Sequence, residues 1–98
     1  MVITTESNIS NAQRLAKEIL NRKYASCIGL REINSYYWWE DKIENSSEFQ
    51  LQIKTNKKNL DNLLFSLSEL HTYKNPEIIF WEVNASYDFE QWNDKVTI

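Results

Sequence analysis

Apolar residues recur at helical spacing in two stretches of this sequence. The first predicts a helix over about residues 9–23, preceded by Ser7 and Asn8, whose side chains can accept from the free N–H groups of a first turn. The second predicts a helix over about residues 57–71, and Pro76 prevents any continuation. The apolar positions are Ile9, Ala12, Leu15, Ala16, Ile19 and Leu20 in the first stretch and Leu60, Leu63, Leu64, Leu67 and Leu70 in the second.

Four other stretches have the composition or the alternation of β-strands. They cover residues 2–5, 25–39, 43–55 and 77–83, and the third alternates apolar and polar positions from Phe49 to Lys54. The second and third stretches predict a hairpin from Ile28 to Thr55, with a three-residue polar tip at Glu40–Lys42. Each arm exceeds ten residues, whereas a usual strand has about 5–6, so the hairpin is expected to project from the domain.

The order of elements is β-α-β-β-α-β, followed by a short C-terminal helix suggested by Phe89, Trp92 and Val96. This order predicts one α+β domain over residues 1–98, a ferredoxin-like sandwich with four antiparallel strands and both helices on one face. Nothing in the chain remains to cover the other face. We therefore expect partner subunits to cover it.

The amino-acid composition disfavours several classes of function. The 98 residues carry a formal net charge of −3, which disfavours a nucleic-acid partner. A single glycine leaves no phosphate-binding glycine loop, and no apolar run approaches the length of a membrane helix. One cysteine cannot form an internal disulfide, and no signal peptide is evident at the N-terminus. These features predict a cytoplasmic protein without a membrane partner.

Three residues are candidates for chemistry. Cys27 is the only thiol. It could act chemically, as a metal ligand or a nucleophile, or it could simply be a small buried residue at the start of a strand. His71 is the only histidine. It could act chemically, as a metal ligand or a proton carrier. Alternatively, it could be a residue at the C-terminal end of a helix that interacts favourably with the helix dipole. Glu77 precedes the last strand, where a buried or cleft position is expected. A soft-metal site needs three or four ligands, and the chain has only one cysteine and one histidine. Such a site would therefore need carboxylate ligands as well, or ligands from more than one chain.

The aromatic run Tyr36–Trp39 lies in the predicted hairpin, and successive side chains must alternate between its faces. These rings could stack on a ligand, or they could pack in an interface between subunits, where tyrosine and tryptophan are enriched. The acidic chain favours the interface. Nearby carboxylates on the hairpin are interpreted as a solvated turn and arms; they are Glu40, Asp41, Glu44 and Glu48.

Several segments together resemble the CutA divalent-cation tolerance family. The similarity extends in order and spacing over nearly the whole chain. The segments are Ala25-Ser26-Cys27-Ile28, similar to Ala-Ala-Cys-Val; Ser35 to Ile43, similar to Ser-x-Tyr-x-Trp-x-Gly-Lys-Val; Ile53-Lys54-Thr55, identical to Ile-Lys-Thr; His71 to Ile78, similar to His-Pro-Tyr-x-x-Pro-Glu-Ile; and Phe89 to Trp92, similar to Tyr-x-x-Trp.

The resemblance implies a homotrimer in which the long hairpins reach neighbouring subunits. It also implies a link to copper and other divalent cations, with polar residues gathered in clefts between subunits. The positions that carry over are Cys27, Tyr37, Trp39, Lys54, His71, Tyr73 and Glu77. Of these, His71, Cys27 and Glu77 are our metal candidates, and we expect Tyr37, Trp39, Lys54 and Tyr73 in the cleft or interface.

The sequence departs from the family pattern at four positions. Asp41 replaces a glycine in the hairpin turn, and Thr72 replaces a proline. Thr4 and Leu70 replace a cysteine and a histidine that, in a bacterial member, are proposed copper ligands together with the histidine at the position of His71. Copper binding through that set is therefore expected to be weak or absent here.

The sequence is compatible with three functions. The first is a trimeric, non-enzymatic cation tolerance protein with its site in a subunit cleft. The second is a trimeric signalling or scaffold module that binds a small anion or a partner protein in the same cleft. The third is an enzyme using Cys27 or Glu77, but no Ser–His–Asp or Cys–His–Asn arrangement supports it, and we expect no enzymatic activity.

Overall fold

A computed structural model describes all residues from 1 to 98. The chain forms four strands and three helices around one antiparallel sheet with the strand order β2-β3-β1-β4. The predicted ferredoxin-like α+β fold is confirmed. In chain order the elements are β1 (Val2–Glu6), α1 (Ile9–Asn21), β2 (Cys27–Trp39), β3 (Lys42–Lys54), a 3₁₀ turn (Lys57–Asn59), α2 (Leu60–Leu70), β4 (Ile78–Phe80) and α3 (Tyr87–Val96).

Helix α1 begins at a side-chain cap. Asn8 accepts from the backbone N–H of Asn11 at 2.8 Å, which satisfies one of the free donors of the first turn. Asn8, rather than Ser7, is therefore the N-cap. The helix ends at Asn21, two residues before the predicted end, and Lys23 has a left-handed φ of 63°.

The core lies between one face of the sheet and the two predicted helices. Val2, Leu51 and Ile53 occupy this face, because Val2 pairs with Ile53 and Leu51 lies two residues away on the same strand. The ten buried core residues are Val2, Ala12, Leu15, Ala16, Ile19, Ala25, Leu51, Ile53, Leu63 and Leu67. Both helices thus cover the same face, as predicted.

Strands β2 and β3 form a hairpin that continues past the rest of the sheet. The last pair that touches β1 is Glu6 with Phe49, which is also opposite Glu32, so residues 33–48 form a ribbon of only two strands. We call residues 33–48 the ribbon. The molecule is accordingly elongated, measuring 45 × 24 × 21 Å.

The turn at the end of the ribbon contains two residues, and the predicted three-residue tip is wrong. Lys42 pairs with Trp39 and belongs to β3. Glu40 and Asp41 have φ values of 49° and 62°, the positive values that a type I′ turn requires at both central positions. This turn matches the right-handed twist of the strands, which explains why the shorter loop is formed.

The last strand is shorter than predicted and lies at the sheet edge. Only Ile78–Phe80 pairs with β1, whereas the sequence predicted a core strand over residues 77–83. Ile79, Phe80 and Trp81 are exposed, and β4 has a neighbouring strand on one side only. The predicted terminal helix is confirmed as α3. No helix in the structure has the length and apolar character needed to cross a membrane.

Candidate functional site

A network of polar side chains lies where β1 ends and the chain returns from α2 to β4. We call Thr4, Glu6, His71, Thr72 and Tyr73 the His71 network. Thr4 and Glu6 come from β1, and His71 is the C-cap residue of α2. The segment from α2 to β4 passes the end of β1, which brings residues 66 or more positions apart in the sequence into contact.

The hydrogen bonds of His71 define its tautomer. The Thr4 hydroxyl donates to the backbone oxygen of Glu77 at 2.6 Å, because a carbonyl oxygen can only accept. Thr4 Oγ1 must therefore accept from His71 Nε2, which lies 3.1 Å away and carries the ring proton. His71 Nδ1 accepts from the backbone N–H of Tyr73 at 3.0 Å. With its side chain 0% exposed, His71 has no free ring nitrogen in this conformation.

Glu6 is a fully buried carboxylate in contact with His71. Oε2 accepts from the backbone N–H of Thr72 at 3.1 Å, and Oε1 accepts from the Thr72 hydroxyl. Oε2 also lies 3.5 Å from His71 Nδ1. Buried charges are costly unless they are hydrogen-bonded, and charge-assisted bonds of this kind are among the stronger ones in proteins. Glu6 therefore fixes Thr72 to the end of β1.

Tyr73 connects the same segment to the base of the ribbon. Its hydroxyl donates to Glu48 Oε2 at 2.7 Å, and its ring lies 5.0 Å from the ring of His71. Burial raises the pKa of Tyr73 above its usual value, and the neighbouring Glu48 raises this pKa further, because its carboxylate accepts a hydrogen bond from the phenol and repels a phenolate. The phenol consequently remains a donor over the physiological pH range.

The face of the sheet opposite the helices is polar near its centre. Lys54 lies on this face, opposite Cys27 in the register, and its Nζ has one hydrogen bond, at 3.5 Å to the backbone oxygen of Gln52. This ammonium passes Gly29, where a Cβ atom would lie 3.5 Å from Nζ. Arg31 donates to Gln50 Oε1 at 3.1 Å. The face therefore presents cationic groups with few protein acceptors.

The structure does not bring the three predicted metal residues together in one chain. Cys27 is half-buried at the start of β2, and the His71 side chain is enclosed within its network. Glu77 is exposed, so the buried position is wrong, whereas a position in a cleft between chains stays a prediction. Its backbone oxygen, not its carboxylate, contacts the network. No group of three or more histidine, cysteine, aspartate or glutamate side chains is arranged to hold a metal ion. A site shared between chains stays a prediction.

The other predicted cleft residues fall into two groups. Tyr73 and Lys54 lie beside the body of the sheet, in the contacts described above. Tyr37 and Trp39 lie on the ribbon and are exposed, and the Tyr37 hydroxyl accepts from Ser46 Oγ at 3.3 Å. The structure places these two aromatic side chains on the same face of β2, because they are two residues apart.

Sequence reasoning missed Glu6 and Glu48 as members of the site. Glu6 ends a short strand and resembles an ordinary solvated residue before a helix cap. One signal was available in Thr72, which supplies a backbone N–H where the family has a proline without one. A new N–H donor in a turn requires an acceptor, and the buried carboxylate of Glu6 is that acceptor.

Comparison with known proteins agrees with this architecture. A family model described as CutA1 divalent ion tolerance protein matches residues 1–96. The divalent-cation tolerance protein CutA of Archaeoglobus fulgidus is 30% identical over 95 residues, covering 96% of this chain and 93% of that protein. The CutA of Pyrococcus horikoshii is 33% identical over 93 residues, covering 94% of this chain and 91% of that protein.

Solved structures give the same result. The crystal structure of CutA1 from Pyrococcus horikoshii has a TM-score of 0.95 at 33% identity, covering 99% of this chain and 96% of that one. CutA1 from Oryza sativa has a TM-score of 0.92 at 32% identity, covering 99% and 91%. A structure from Archaeoglobus fulgidus, described as a periplasmic divalent cation tolerance protein, has a TM-score of 0.91 at 29% identity, covering 97% and 94%. The match over nearly the full length, in sequence and in fold, establishes that this chain belongs to the CutA1 divalent ion tolerance family.

Proposed function

We propose that this protein acts as a homotrimer in the tolerance of divalent cations, copper among them, and that it does so in the cytoplasm without catalysing a reaction. Membership of the CutA1 family supports the role in cation tolerance. The unpaired Cys27 supports a reducing compartment. Fractionation of cells that express the tagged protein tests the compartment, and recovery in a periplasmic or secreted fraction would contradict it.

The ribbon is the observation that carries the proposal of self-assembly. An isolated two-stranded ribbon is marginally stable in water, and this one has large apolar side chains on both faces. The exposed side chains are Tyr36, Tyr37, Trp38, Trp39 and Ile43. Tyrosine and tryptophan are enriched in the cores of interfaces. Burial against neighbouring copies would cover these side chains and stabilise the ribbon.

Cation binding, if it accompanies tolerance, would take ligands from more than one chain. One chain offers no suitable group, and the ring nitrogens of His71 already have protein partners. A subunit cleft supplies the additional carboxylate, thiol or imidazole ligands that a divalent cation needs. Cys27 and Glu77 remain candidate ligands because neither side chain makes a hydrogen bond or ion pair within its own chain.

Isothermal titration of the assembled protein with Cu²⁺ and Zn²⁺ tests the cation role. We expect a saturable signal that weakens in Cys27→Ser and Glu77→Gln, with unchanged mass by light scattering. Lys95→Gln on α3 is the control and should titrate as the wild type does. The absence of binding above buffer, in a protein confirmed to be assembled, would contradict cation binding while leaving assembly intact.

A second candidate is a signalling or scaffold module that binds a small anion in the cleft. The supporting observation is Lys54, a half-buried residue whose ammonium group has one long hydrogen bond, to the backbone oxygen of Gln52. Titration with inorganic phosphate, repeated on Lys54→Gln, separates the candidates. Phosphate binding that requires Lys54, together with no response to Cu²⁺ or Zn²⁺, would favour the anion-binding module.

A further inference from the structure

Residues 72–77, which we call the strap, connect α2 to β4 and are held in an unusual way. No backbone–backbone hydrogen bond involves these residues. The strap is fixed instead by bonds to side chains: Thr72 to Glu6, the Tyr73 N–H to His71, the Tyr73 hydroxyl to Glu48, and the Glu77 oxygen to Thr4. Segments without backbone ladders open at lower free energy than strands and helices do.

The strap supplies or orients both partners of the His71 ring. The backbone N–H of Tyr73, a strap residue, donates to His71 Nδ1. The strap's Glu77 oxygen accepts a hydrogen bond from the Thr4 hydroxyl, and this leaves Thr4 Oγ1 as the acceptor for Nε2. If the strap lifts, Nδ1 loses its donor and Thr4 loses the contact that orients it. One movement therefore frees the imidazole from both constraints.

Glu6 lies where it can control this movement. It is fully buried below the strap, whereas Thr72, which donates to it twice, is exposed to solvent. Water can therefore replace Thr72 without entering the core.

We propose that the strap is a gate over His71 and that Glu6 is the catch that holds it closed. The imidazole is hidden in the closed conformation and becomes available, when the strap opens, to a ligand that requires a ring nitrogen, such as a divalent cation or a small electrophile. Every contact that forms this gate lies within one chain.

The presence of a single histidine makes the gate directly measurable. Diethylpyrocarbonate modifies accessible imidazoles, and mass spectrometry of the peptide that contains His71 gives the rate. We expect slow modification in the wild-type protein and a rate about tenfold or more higher in Glu6→Gln, which loses the charge-assisted bonds to Thr72. Thr72→Val keeps the N–H but loses the hydroxyl, and a smaller increase is expected. Lys74→Ala, an exposed strap position without side-chain bonds, is the matched control and should react at the wild-type rate.

Hydrogen exchange at the Tyr73 amide provides a second measurement, because this N–H is bonded to His71 only while the strap is closed. It should exchange faster in the same variants that react faster. Equal modification and exchange rates in the wild type, Glu6→Gln and Thr72→Val would overturn the proposal, as would a wild-type rate equal to that of an unfolded peptide. If Glu6→Gln fails to fold by circular dichroism, Thr72→Val at its exposed position decides the question.

Discussion

Truncating Trp38 tests whether the ribbon is an assembly surface. Trp38 is 73% exposed, and Phe65 on α2 is a control of similar character at 68% exposed. A tryptophan buries about 150–250 Å² in a core or interface, so roughly 110–180 Å² of Trp38 is available for burial. At about 25 cal/mol per Å², its burial contributes roughly 3–4.5 kcal/mol per subunit as an upper estimate.

This contribution converts into a measurable change in the concentration at which subunits separate. Because 1.4 kcal/mol corresponds to a factor of ten, Trp38→Ala should raise the dissociation concentration about a hundredfold or more. Light scattering and sedimentation across a wide concentration range measure it. The wild type and Phe65→Ala should remain assembled at micromolar concentration, and circular dichroism verifies that each variant is folded.

Two results would refute the reasoning in different ways. A wild-type protein that is monomeric at micromolar concentration would remove the basis for self-assembly. An assembled protein in which Trp38→Ala and Phe65→Ala behave alike would show that copies associate through another surface. The second result would leave the exposed ribbon without its proposed partner.

Three further predictions concern stability. Asp41→Gly should stabilise the protein by about 0.5–1 kcal/mol in urea denaturation, because glycine relieves the cost of a side chain at a φ of 62° but loses more entropy on folding. The stability of the wild type should fall as pH rises above about 10, because unfolded chains release the Tyr73 proton while the folded state retains it; urea midpoints should show the decline in Tyr87→Phe but a smaller one in Tyr73→Phe. Asn56→Ala should cost about 1–2 kcal/mol and speed hydrogen exchange in α3, because Asn56 caps the 3₁₀ turn and donates to Asp94 and Thr97.

The helices and the hairpin were predictable because their signals are local. An apolar face with a period near 3.6 requires only a dozen neighbouring residues, and the alternation in β3 requires even fewer. The errors at their ends have local causes too. The three-residue tip was predicted from the polarity of Lys42, but polarity does not distinguish a turn residue from a strand residue on an exposed ribbon.

The His71 network was only partly predictable, because its partners meet across the fold. His71 was a candidate as the only histidine, and Tyr73 was identified through the resemblance, whereas Glu6 contacts Thr72 from 66 positions away. No periodicity reports such a contact. The sequence did contain one signal at residue 72, where threonine supplies a backbone N–H that the proline of the family pattern lacks. The sequence does not indicate which carboxylate accepts from this N–H, because only the fold places Glu6 beneath the strap.

The prediction that residues 77–83 form a core strand was wrong for one chain, yet the reason is informative. A hydrophobic pattern indicates that side chains are buried, but it does not distinguish burial within a subunit from burial between subunits. Ile79, Phe80 and Trp81 lie exposed on an edge strand, as Trp38 and Trp39 lie exposed on the ribbon. An edge strand with apolar side chains is a hazard for aggregation unless it is covered. If the proposed trimer covers both surfaces, the pattern correctly indicated burial, and the error was to assume that the cover comes from the same chain.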